Sequence, residues 1–349
     1  MSPLPSLPRR PLLLALAAVG LQACGAMPSS PGAAALSPAP SPSGPPSGPA
    51  RAAGQKVGPT VADRGSPHYA FDHFEFDSVD GQRHYRVQLA VPQAPPPGAG
   101  YPLLLMLDGN AAFGELSDGM LAQMAAGGRP VAIAALGYQT EQAIDVTARA
   151  YDYTPPVPGE HPTWDSEARR RRGGGADVFL NLIAQQVLPE LRRRVPFDAA
   201  RSTLWGHSYG GLLTVYALLT RPALFARYAA ADPSLWWHDS FILEVERHAR
   251  PLPAGRPTEL LLMAGGAATA ARPEAPAPQA PAGPAPSFAE GTPAGRANRL
   301  ASMAEAVPRF AARQAQRAGL SVQWLPFPGV GHGPLRAASI PPTLRLAAR

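Results

Sequence analysis

Cysteine, lysine and long apolar runs are scarce in this sequence of 349 residues, which limits the kinds of structure and partner that it can have. Cys24 is the only cysteine, so no disulfide can form within the chain. The apolar run Leu12–Leu21 is shorter than the roughly 20 residues that a membrane-spanning helix needs. Lys56 is the one lysine among 31 basic residues, and this arginine bias beside abundant alanine, glycine and proline indicates GC-rich codon usage. The net charge of +6 therefore does not predict a nucleic-acid partner.

The N-terminus has the layout of a bacterial export signal. Two adjacent arginines precede the apolar run, and Leu21-Gln22-Ala23 stands before Cys24, which resembles the lipobox of bacterial lipoproteins. Residues 1–23 are therefore predicted to be a signal peptide, with lipidation on Cys24. The alternative is cleavage near Ala23 or Ala26 to release a soluble protein. Both readings predict an exported protein.

Two segments rich in proline and alanine offer almost nothing to bury. Residues 24–67 are predicted to be a disordered linker behind the export signal. Residues 264–295 are predicted to be a disordered insertion. We therefore expect one catalytic domain, at residues 68–349, that the insertion interrupts.

Apolar patterns in the catalytic domain predict an α/β fold. Two alternating stretches flank Asp80-Gly81 and predict an antiparallel hairpin. Leu103–Leu107 and Val131–Leu136 are continuous apolar runs, typical of strands buried on both faces of a parallel sheet. The predicted strands are 71–76, 85–91, 103–107, 131–136, 202–205, 228–231, 260–263 and 322–327. The expected architecture is a mostly parallel central sheet with an antiparallel N-terminal hairpin.

The most informative motif is Gly206-His207-Ser208-Tyr209-Gly210-Gly211, between an apolar strand and an apolar helix. In this context it predicts a nucleophile elbow, with Ser208 exposed at the start of the helix. Side chains at Gly206 and Gly210 would collide with neighbouring backbone, which explains glycine at both positions. The alternative is chance occurrence in a chain with 34 glycines.

A serine nucleophile needs a base, and histidine has a suitable pKa. In the chain order of α/β hydrolases the base follows the last strand, which makes His332 the predicted base. His207 lies inside the elbow, and we expect it to have a supporting role. The developing oxyanion needs two backbone N–H donors, and the predicted donors are Asn110 and Tyr209.

The orienting acid of the base has more than one candidate in the sequence. It would normally follow the strand that ends near Met263, but that strand has no carboxylate after it before Glu274, inside the predicted insertion. Asp232 ends the preceding strand and is the favoured candidate. Three assignments stay open, namely Asp232, Glu274, and a serine-histidine dyad without an acid.

Several motifs together resemble the enterobactin esterase-like, or esterase D-like, branch of the α/β-hydrolase superfamily, which includes periplasmic siderophore hydrolases. The motifs are Tyr101–Asn110, Arg149–Thr154, Gly174–Ala176, the elbow with its second glycine, Pro233–Trp237 and Gly329–His332. The resemblance covers most of the catalytic domain and implies an α/β-hydrolase fold with Ser208 and His332 as catalytic residues. It also implies that Arg149 contacts an anionic, catecholate-type substrate. Relatives commonly have serine where this chain has Asp232.

Two further features each have a structural and a functional interpretation. Trp236 and Trp237 adjoin the expected cleft, where they serve either core packing or aromatic contact with substrate, and Trp236 is the predicted contact. The run Arg169–Arg172 is either a solvated loop or a cationic rim that attracts anionic substrates.

These features predict an exported serine carboxylic-ester hydrolase that is periplasmic and lipid-anchored. The resemblance implies siderophore-type trilactones as substrates, and the expected partners are a small anionic or aromatic ester and a bacterial membrane. No cofactor is expected, and no group of His, Cys and Asp has the spacing of metal ligands. Two alternatives stay open, a general short-chain or aryl esterase and a non-catalytic ligand-binding lipoprotein with the hydrolase fold.

Overall fold

A computed structural model describes residues 54–266 and 305–349 of the chain, and an eight-stranded sheet forms the centre of the described part. The strands in chain order are β1 Tyr69–Asp77, β2 His84–Pro92, β3 Tyr101–Met106, β4 Ala132–Tyr138, β5 Trp164–Ser166, β6 Arg171–Arg172, β7 Phe197–His207, β8 Arg227–Ala231, β9 Thr258–Gly266 and β10 Leu320–Pro328. The large sheet has the order β1-β2-β4-β3-β7-β8-β9-β10, while β5 and β6 form a separate hairpin. β1, β2 and β4 pair antiparallel, and all other neighbours in the large sheet are parallel.

Helices connect most of the parallel strands. In chain order they are α1 Val61–Arg64, α2 Gly109–Gly114, α3 Asp118–Ala126, α4 Ala148–Tyr153, α5 Ala176–Leu182, α6 Leu188–Arg194, α7 Tyr209–Thr220, α8 Trp237–Ser240, α9 Ile242–Arg247, α10 with residues 305–314, α11 His332–Ala338 and α12 Ile340–Ala347. A π-helical turn, Ile183–Val187, joins α5 to α6. Within the two described ranges, no helix has the length and apolar character needed to cross a membrane.

The sheet carries an apolar layer on each face. β3 is buried along its whole length, and successive side chains of a strand point to opposite faces. Leu103 and Leu105 accordingly pack into one apolar cluster, whereas Leu104 and Met106 pack into another. Residues of α7 belong to the first cluster, and residues of α2 and α12 belong to the second. The predicted α/β-hydrolase fold, with a mostly parallel sheet and an antiparallel N-terminal hairpin, is confirmed.

Residues 54–67 differ from the prediction that they belong to a disordered linker, because they fold onto the domain. Val61, the first residue of α1, is fully buried. Thr60 and Asp63 form a capping box at the start of this helix, in which each side chain bonds the other residue's backbone N–H. Lys56 forms a β-bridge with Gln142. This part of the linker prediction was wrong, since two valines among prolines, glycines and polar residues give no periodic signal. The predictions for residues 1–53, including Cys24, lie outside the described residues.

The first three residues of the insertion predicted at 264–295 fold differently from the prediction. β9 continues to Gly266, which pairs with Pro328 of β10. Residues 264–266 therefore belong to the sheet, and the apolar run simply ends before the strand does. Positions 267–304, including Glu274, lie outside the described residues.

The carboxyl ends of the parallel strands bring the predicted site residues to one edge of the sheet. Asp108 follows β3, Ser208 follows β7 and Asp232 follows β8, each with a positive φ, of 51°, 61° and 40°. His332 follows β10 after a short loop. This edge is where open α/β sheets bind their ligands.

Candidate active site

Ser208 joins β7 directly to α7 in a strained backbone conformation. Its φ of 61° and ψ of −117° lie outside the regions that non-glycine residues ordinarily adopt, at a cost of about 1–3 kcal/mol. Two hydrogen bonds hold it there: its N–H donates to the carbonyl of Ala231 (3.0 Å), and its carbonyl accepts from the N–H of Ser234 (3.1 Å). The strand, serine and helix thus have the arrangement that the motif predicts.

Glycine is required at two positions around the elbow, but these differ in part from the two predicted. A Cβ at Gly206 would lie 2.2 Å from the carbonyl oxygen of Gly210, so the prediction for Gly206 is correct. A Cβ at Gly210 would come no closer than 3.4 Å to the Leu107 side chain, an ordinary contact, so that prediction was wrong. The second tight position is Gly211, where a Cβ would lie 2.9 Å from Cα of Pro233.

The carboxylate of Asp232 is the group that meets the predicted base. Oδ2 of Asp232 lies 3.2 Å from Nδ1 of His332, and Oδ1 accepts a hydrogen bond from the N–H of Gly265 at 2.9 Å. The Asp232 residue is only 3% exposed, whereas His332 is partly exposed. Of the three assignments left open, the geometry of the described residues favours Asp232.

His207 contacts His332, the predicted base, through both its ring and a hydrogen bond. Its ring packs against that of His332, with 4.5 Å between centroids, and its Nε2 donates to the His332 carbonyl at 2.8 Å, since a carbonyl can only accept. Burial lowers the pKa of His207 well below its usual 6.5, and the nearby His332 and Arg336 act in the same direction. These effects favour the neutral imidazole of His207, in keeping with the supporting role expected of it.

His207, Asp232 and His332 form a cluster that sequence spacing did not reveal. One nitrogen or oxygen atom from each lies within 4.8 Å of the others. Two of these side chains already share the His332–Asp232 hydrogen bond, which is the contact expected between a catalytic base and its orienting acid. That the site needs no metal stays a prediction.

The predicted oxyanion donors both lie in the first turn of a helix, where backbone N–H groups lack an acceptor within the helix. Tyr209 is the first residue of α7, and Asn110 is the second residue of α2. The Asn110 side chain fixes its loop by donating to the carbonyls of Tyr138, Thr140 and Gln142 at 3.0, 2.8 and 3.1 Å. The assignment of these two N–H groups to the oxyanion remains a prediction.

The Arg149 side chain forms hydrogen bonds to two neighbouring residues beside the elbow. Its Nε and one terminal nitrogen bind the two carboxylate oxygens of Asp108, each at 2.8 Å, and that terminal nitrogen also donates to the His207 carbonyl at 3.3 Å. The guanidinium group lies between the rings of Tyr153 and Tyr209, at 5.4 and 5.2 Å from their centroids. Arg149 thus joins the loop after β3 to the elbow, and its contact with substrate stays a prediction.

The paired tryptophans have different surroundings. Trp237 is 3% exposed, and its Nε1 donates to Asp165 of the β5–β6 hairpin at 2.9 Å, as the core interpretation expects. Trp236 is partly exposed and lies 6.2 Å from the ring of Tyr209, the residue after Ser208. Trp236 is therefore the better placed of the two for a substrate contact.

Comparison with known proteins gives the same family as the motifs. A family model described as "Putative esterase" matches residues 78–257, more than half of the chain. The chain belongs to this esterase family. The matched range includes the elbow and Asp232 but ends before His332.

Relatives and a solved structure extend this result. The apo-salmochelin esterase of Escherichia coli O6:H1 (strain CFT073) is 44% identical over 179 residues, which are 51% of this chain and 56% of that protein. Ferri-bacillibactin esterase BesA of Bacillus subtilis (strain 168) is 34% identical over 195 residues, 54% of this chain and 67% of its own length. The solved structure of the enterobactin and salmochelin hydrolase IroE has a TM-score of 0.61 and 32% identity, covering 83% of this chain and 99% of that one. The sequence match spans little more than half of the first relative.

Two side chains of the site were not identified from the sequence. The Ser234 hydroxyl, in a residue only 1% exposed, lies 3.3 Å from the Ser208 hydroxyl. The Asp165 carboxylate binds Arg171 and Trp237 and, together with burial, raises the pKa of the neighbouring Tyr209. The available signal for Ser234 was its place just after β8, at the same edge as the elbow. Asp165 lies in a short hairpin that no periodic pattern indicates.

Proposed function

We propose that this chain is a serine carboxylic-ester hydrolase that acts through an acyl-enzyme on siderophore-type esters. The observation that carries the proposal is the hydrogen bond between Nδ1 of His332 and Asp232, at the edge where the Ser208 elbow ends β7. With Nδ1 facing a carboxylate, Nε2 is the nitrogen left to accept the proton of Ser208. Membership of the esterase family supports the same chemistry.

In the first half of the proposed reaction, His332 Nε2 takes the proton of the Ser208 hydroxyl while Oγ attacks the ester carbonyl carbon. The carbonyl oxygen becomes an oxyanion, which the backbone N–H groups of Asn110 and Tyr209 stabilise. When the intermediate collapses, the carbon–oxygen bond to the alcohol breaks, and protonated His332 gives its proton to the departing alkoxide. Asp232 orients the imidazole and stabilises its cation.

In the second half, a water molecule attacks the acyl group on Ser208, and His332 accepts the water's proton. The second tetrahedral intermediate collapses, the bond from the acyl carbon to Ser208 Oγ breaks, and His332 returns the proton to Oγ. The free acid leaves, and the site is restored. No step in this scheme needs a cofactor.

A catecholate trilactone is the proposed substrate class. The relatives named above are esterases for salmochelin and bacillibactin, and the solved structure is that of a hydrolase for enterobactin and salmochelin. The proposed contacts of this chain are Arg149 for an anionic group and Trp236 for an aromatic one. Both lie within contact of Tyr209, next to the nucleophile.

The test compares the wild-type protein with the Ser208→Ala variant on a catecholate trilactone and on p-nitrophenyl acetate. We expect the wild-type protein to prefer the trilactone in kcat/KM and the variant to lose hydrolysis of both. A fluorophosphonate probe should label only the wild-type protein. A preference for the simple ester would contradict the substrate class, and equal labelling of the variant would contradict the nucleophile.

We also propose that the chain is exported and anchored to a bacterial membrane by lipid on Cys24. The support is the sequence around Cys24 alone, and the test is fractionation of cells that produce the wild-type chain or the Cys24→Ser variant. The wild-type protein should sediment with membranes and the variant should not. Equal distribution of the two would contradict the anchor.

A further inference from the structure

A cavity of about 440 Å³ lies outside the elbow, between the β1–β2 turn, α4 and the arginine run. We call it the arginine pocket, because Arg83, Arg170 and Arg172 line it together with Tyr151 of α4. Asp80 and Asp145 are its acidic lining residues.

The acidic lining residues are already satisfied by the protein. Asp80 binds Arg83 through both carboxylate oxygens, at 3.2 and 3.1 Å. Asp145 accepts hydrogen bonds from the N–H groups of Thr147 and Ala148, at 3.1 and 2.9 Å, at the start of α4. Within the described residues, neither carboxylate forms an ion pair with Arg170 or Arg172.

Arg170 and Arg172 are the two pocket arginines whose side chains have no partner among the described residues. Both residues are exposed, and neither guanidinium group has a hydrogen bond or an ion pair within the described part of the chain. Each guanidinium is a planar fork of N–H donors that suits the oxygens of an anion. The pocket therefore presents two uncommitted donor groups to a ligand.

One wall of the arginine pocket is a fixed aromatic ring. The Arg83 guanidinium lies 4.5 Å from the centroid of Tyr151. Gly175 allows the ring to take this place, since a Cβ there would lie 2.3 Å from Cε1 of Tyr151. Arg83 is itself held by Asp152 at 3.1 Å. A planar aromatic ligand would thus meet a rigid wall of a ring and a guanidinium group.

The arginine pocket and the elbow share two structural elements. Arg149 and Tyr151 are two residues apart on α4, and so point about 200° apart around it. Arg149 faces the elbow, where it binds the His207 carbonyl, while Tyr151 lines the pocket. In the β5–β6 hairpin, successive side chains also point to opposite sides: Arg171 binds Asp165, and Arg172 lines the pocket.

We propose that the arginine pocket binds a negatively charged aromatic arm of the ester substrate while another part of that substrate is cleaved at Ser208. α4 lies between Arg149 on the elbow side and Tyr151 in the pocket, and an α-helix with its side chains is about 10–12 Å in diameter. A trilactone carries three arms on one ring, so one ester can occupy the elbow while an arm extends across the helix. This inference rests on the proposed function and adds a binding subsite to it.

The test uses the double variant Arg170→Gln/Arg172→Gln, with Arg129→Gln as its matched control. Arg129 is also exposed, but it lies in the loop before β4, at the opposite edge of the sheet. We expect KM for a catecholate trilactone to rise about 2-fold to 30-fold in the double variant, since two exposed charged contacts are lost. The ratio of kcat/KM for the trilactone to that for p-nitrophenyl acetate should fall by the same factor, and the control should keep the wild-type ratio.

Added salt should weaken trilactone binding by the wild-type protein more than by the double variant. An unchanged KM in the double variant, or an equal rise of KM in the control, would overturn the proposal that the arginine pocket binds substrate. If no trilactone hydrolysis occurs, binding of 2,3-dihydroxybenzoate to the Ser208→Ala protein separates the two proposals. If replacing Arg170 and Arg172 weakens this binding, the proposal for the arginine pocket is supported although the substrate assignment has failed. If the replacement leaves the binding unchanged, that proposal is overturned.

Discussion

Replacing Asp232 by asparagine tests whether this chain uses a triad or a dyad. Asparagine has nearly the same shape, and its carbonyl oxygen can still accept the hydrogen bond that Gly265 donates at 2.9 Å. Its amide group, however, would face Nδ1 of His332 as a donor. The imidazole would then carry its proton on Nε2, which is the wrong tautomer for accepting the proton of Ser208.

The size of the effect follows from the contact. At 3.2 Å, the distance between His332 and Asp232 is longer than the 2.7–2.9 Å of a strong charge-assisted bond. A hydrogen bond to a charged group contributes about 1.5–3 kcal/mol, which corresponds to roughly 10-fold to 150-fold in rate. We therefore expect kcat to fall within that range, well short of the roughly 10⁴-fold loss known for a fully engaged serine-protease aspartate. KM should change less than about twofold, because Asp232 is buried behind the base.

The assay is steady-state hydrolysis of p-nitrophenyl acetate by the wild-type, Asp232→Asn and Asp198→Asn proteins. Asp198 is a half-buried aspartate at the start of β7, away from the elbow, and its carboxylate accepts a hydrogen bond from the nearby backbone N–H of Ala200. Equal melting temperatures would show that the fold is kept. Unchanged kcat in Asp232→Asn would refute Asp232 as the orienting acid and leave Glu274 or a serine-histidine dyad.

Three further predictions concern the neighbours of the nucleophile. Ser234→Ala should lower kcat about 2-fold to 12-fold at constant KM, because a hydroxyl contact 3.3 Å from Ser208 is lost; an unaltered kcat in steady-state assays would argue against it. Because the folded state lowers the pKa of His207, the unfolded chain binds more protons below pH 6.5, and stability should fall with falling pH by up to about 1.4 kcal/mol per pH unit. Urea unfolding of His207→Gln should show a shallower fall, and an identical slope would contradict the neutral histidine. Gly206→Ala, with a Cβ 2.2 Å from a carbonyl oxygen, should destabilise the protein by more than about 2 kcal/mol in thermal melts, whereas Gly210→Ala should not; equal effects would contradict the elbow geometry.

Most of the fold was predictable because its strands carry strong local signals. The continuous apolar runs that form β3 and β4 are typical of strands that are buried on both faces of a sheet. Residues 54–67 were mispredicted because they hold few apolar residues, and the burial of Val61 depends on contacts with distant parts of the chain. Strand ends were likewise set by partners, since Gly266 pairs with Pro328 although neither residue favours a strand.

The candidate site was predictable where chain order carries information. In this fold a nucleophile and its base are expected after particular strands, so motif and chain order were enough to predict Ser208 and His332. Contacts between loops could not be predicted this way. Asp232 was one of three candidates until the fold put its carboxylate beside His332, and Ser234 had no assigned role until its hydroxyl lay against the nucleophile. Arg149 was expected to meet substrate, and its bonds to Asp108 became visible only in three dimensions.

The most direct test of the central claim is to trap the acyl-enzyme. The wild-type protein is mixed with a p-nitrophenyl ester, quenched in acid within the first turnovers, and measured by intact-protein and peptide mass spectrometry. We predict a mass increase equal to the acyl group on the peptide that contains Ser208, and no increase in the Ser208→Ala variant. Hydrolysis by the wild-type protein without any such adduct, together with full activity in the variant, would contradict the account.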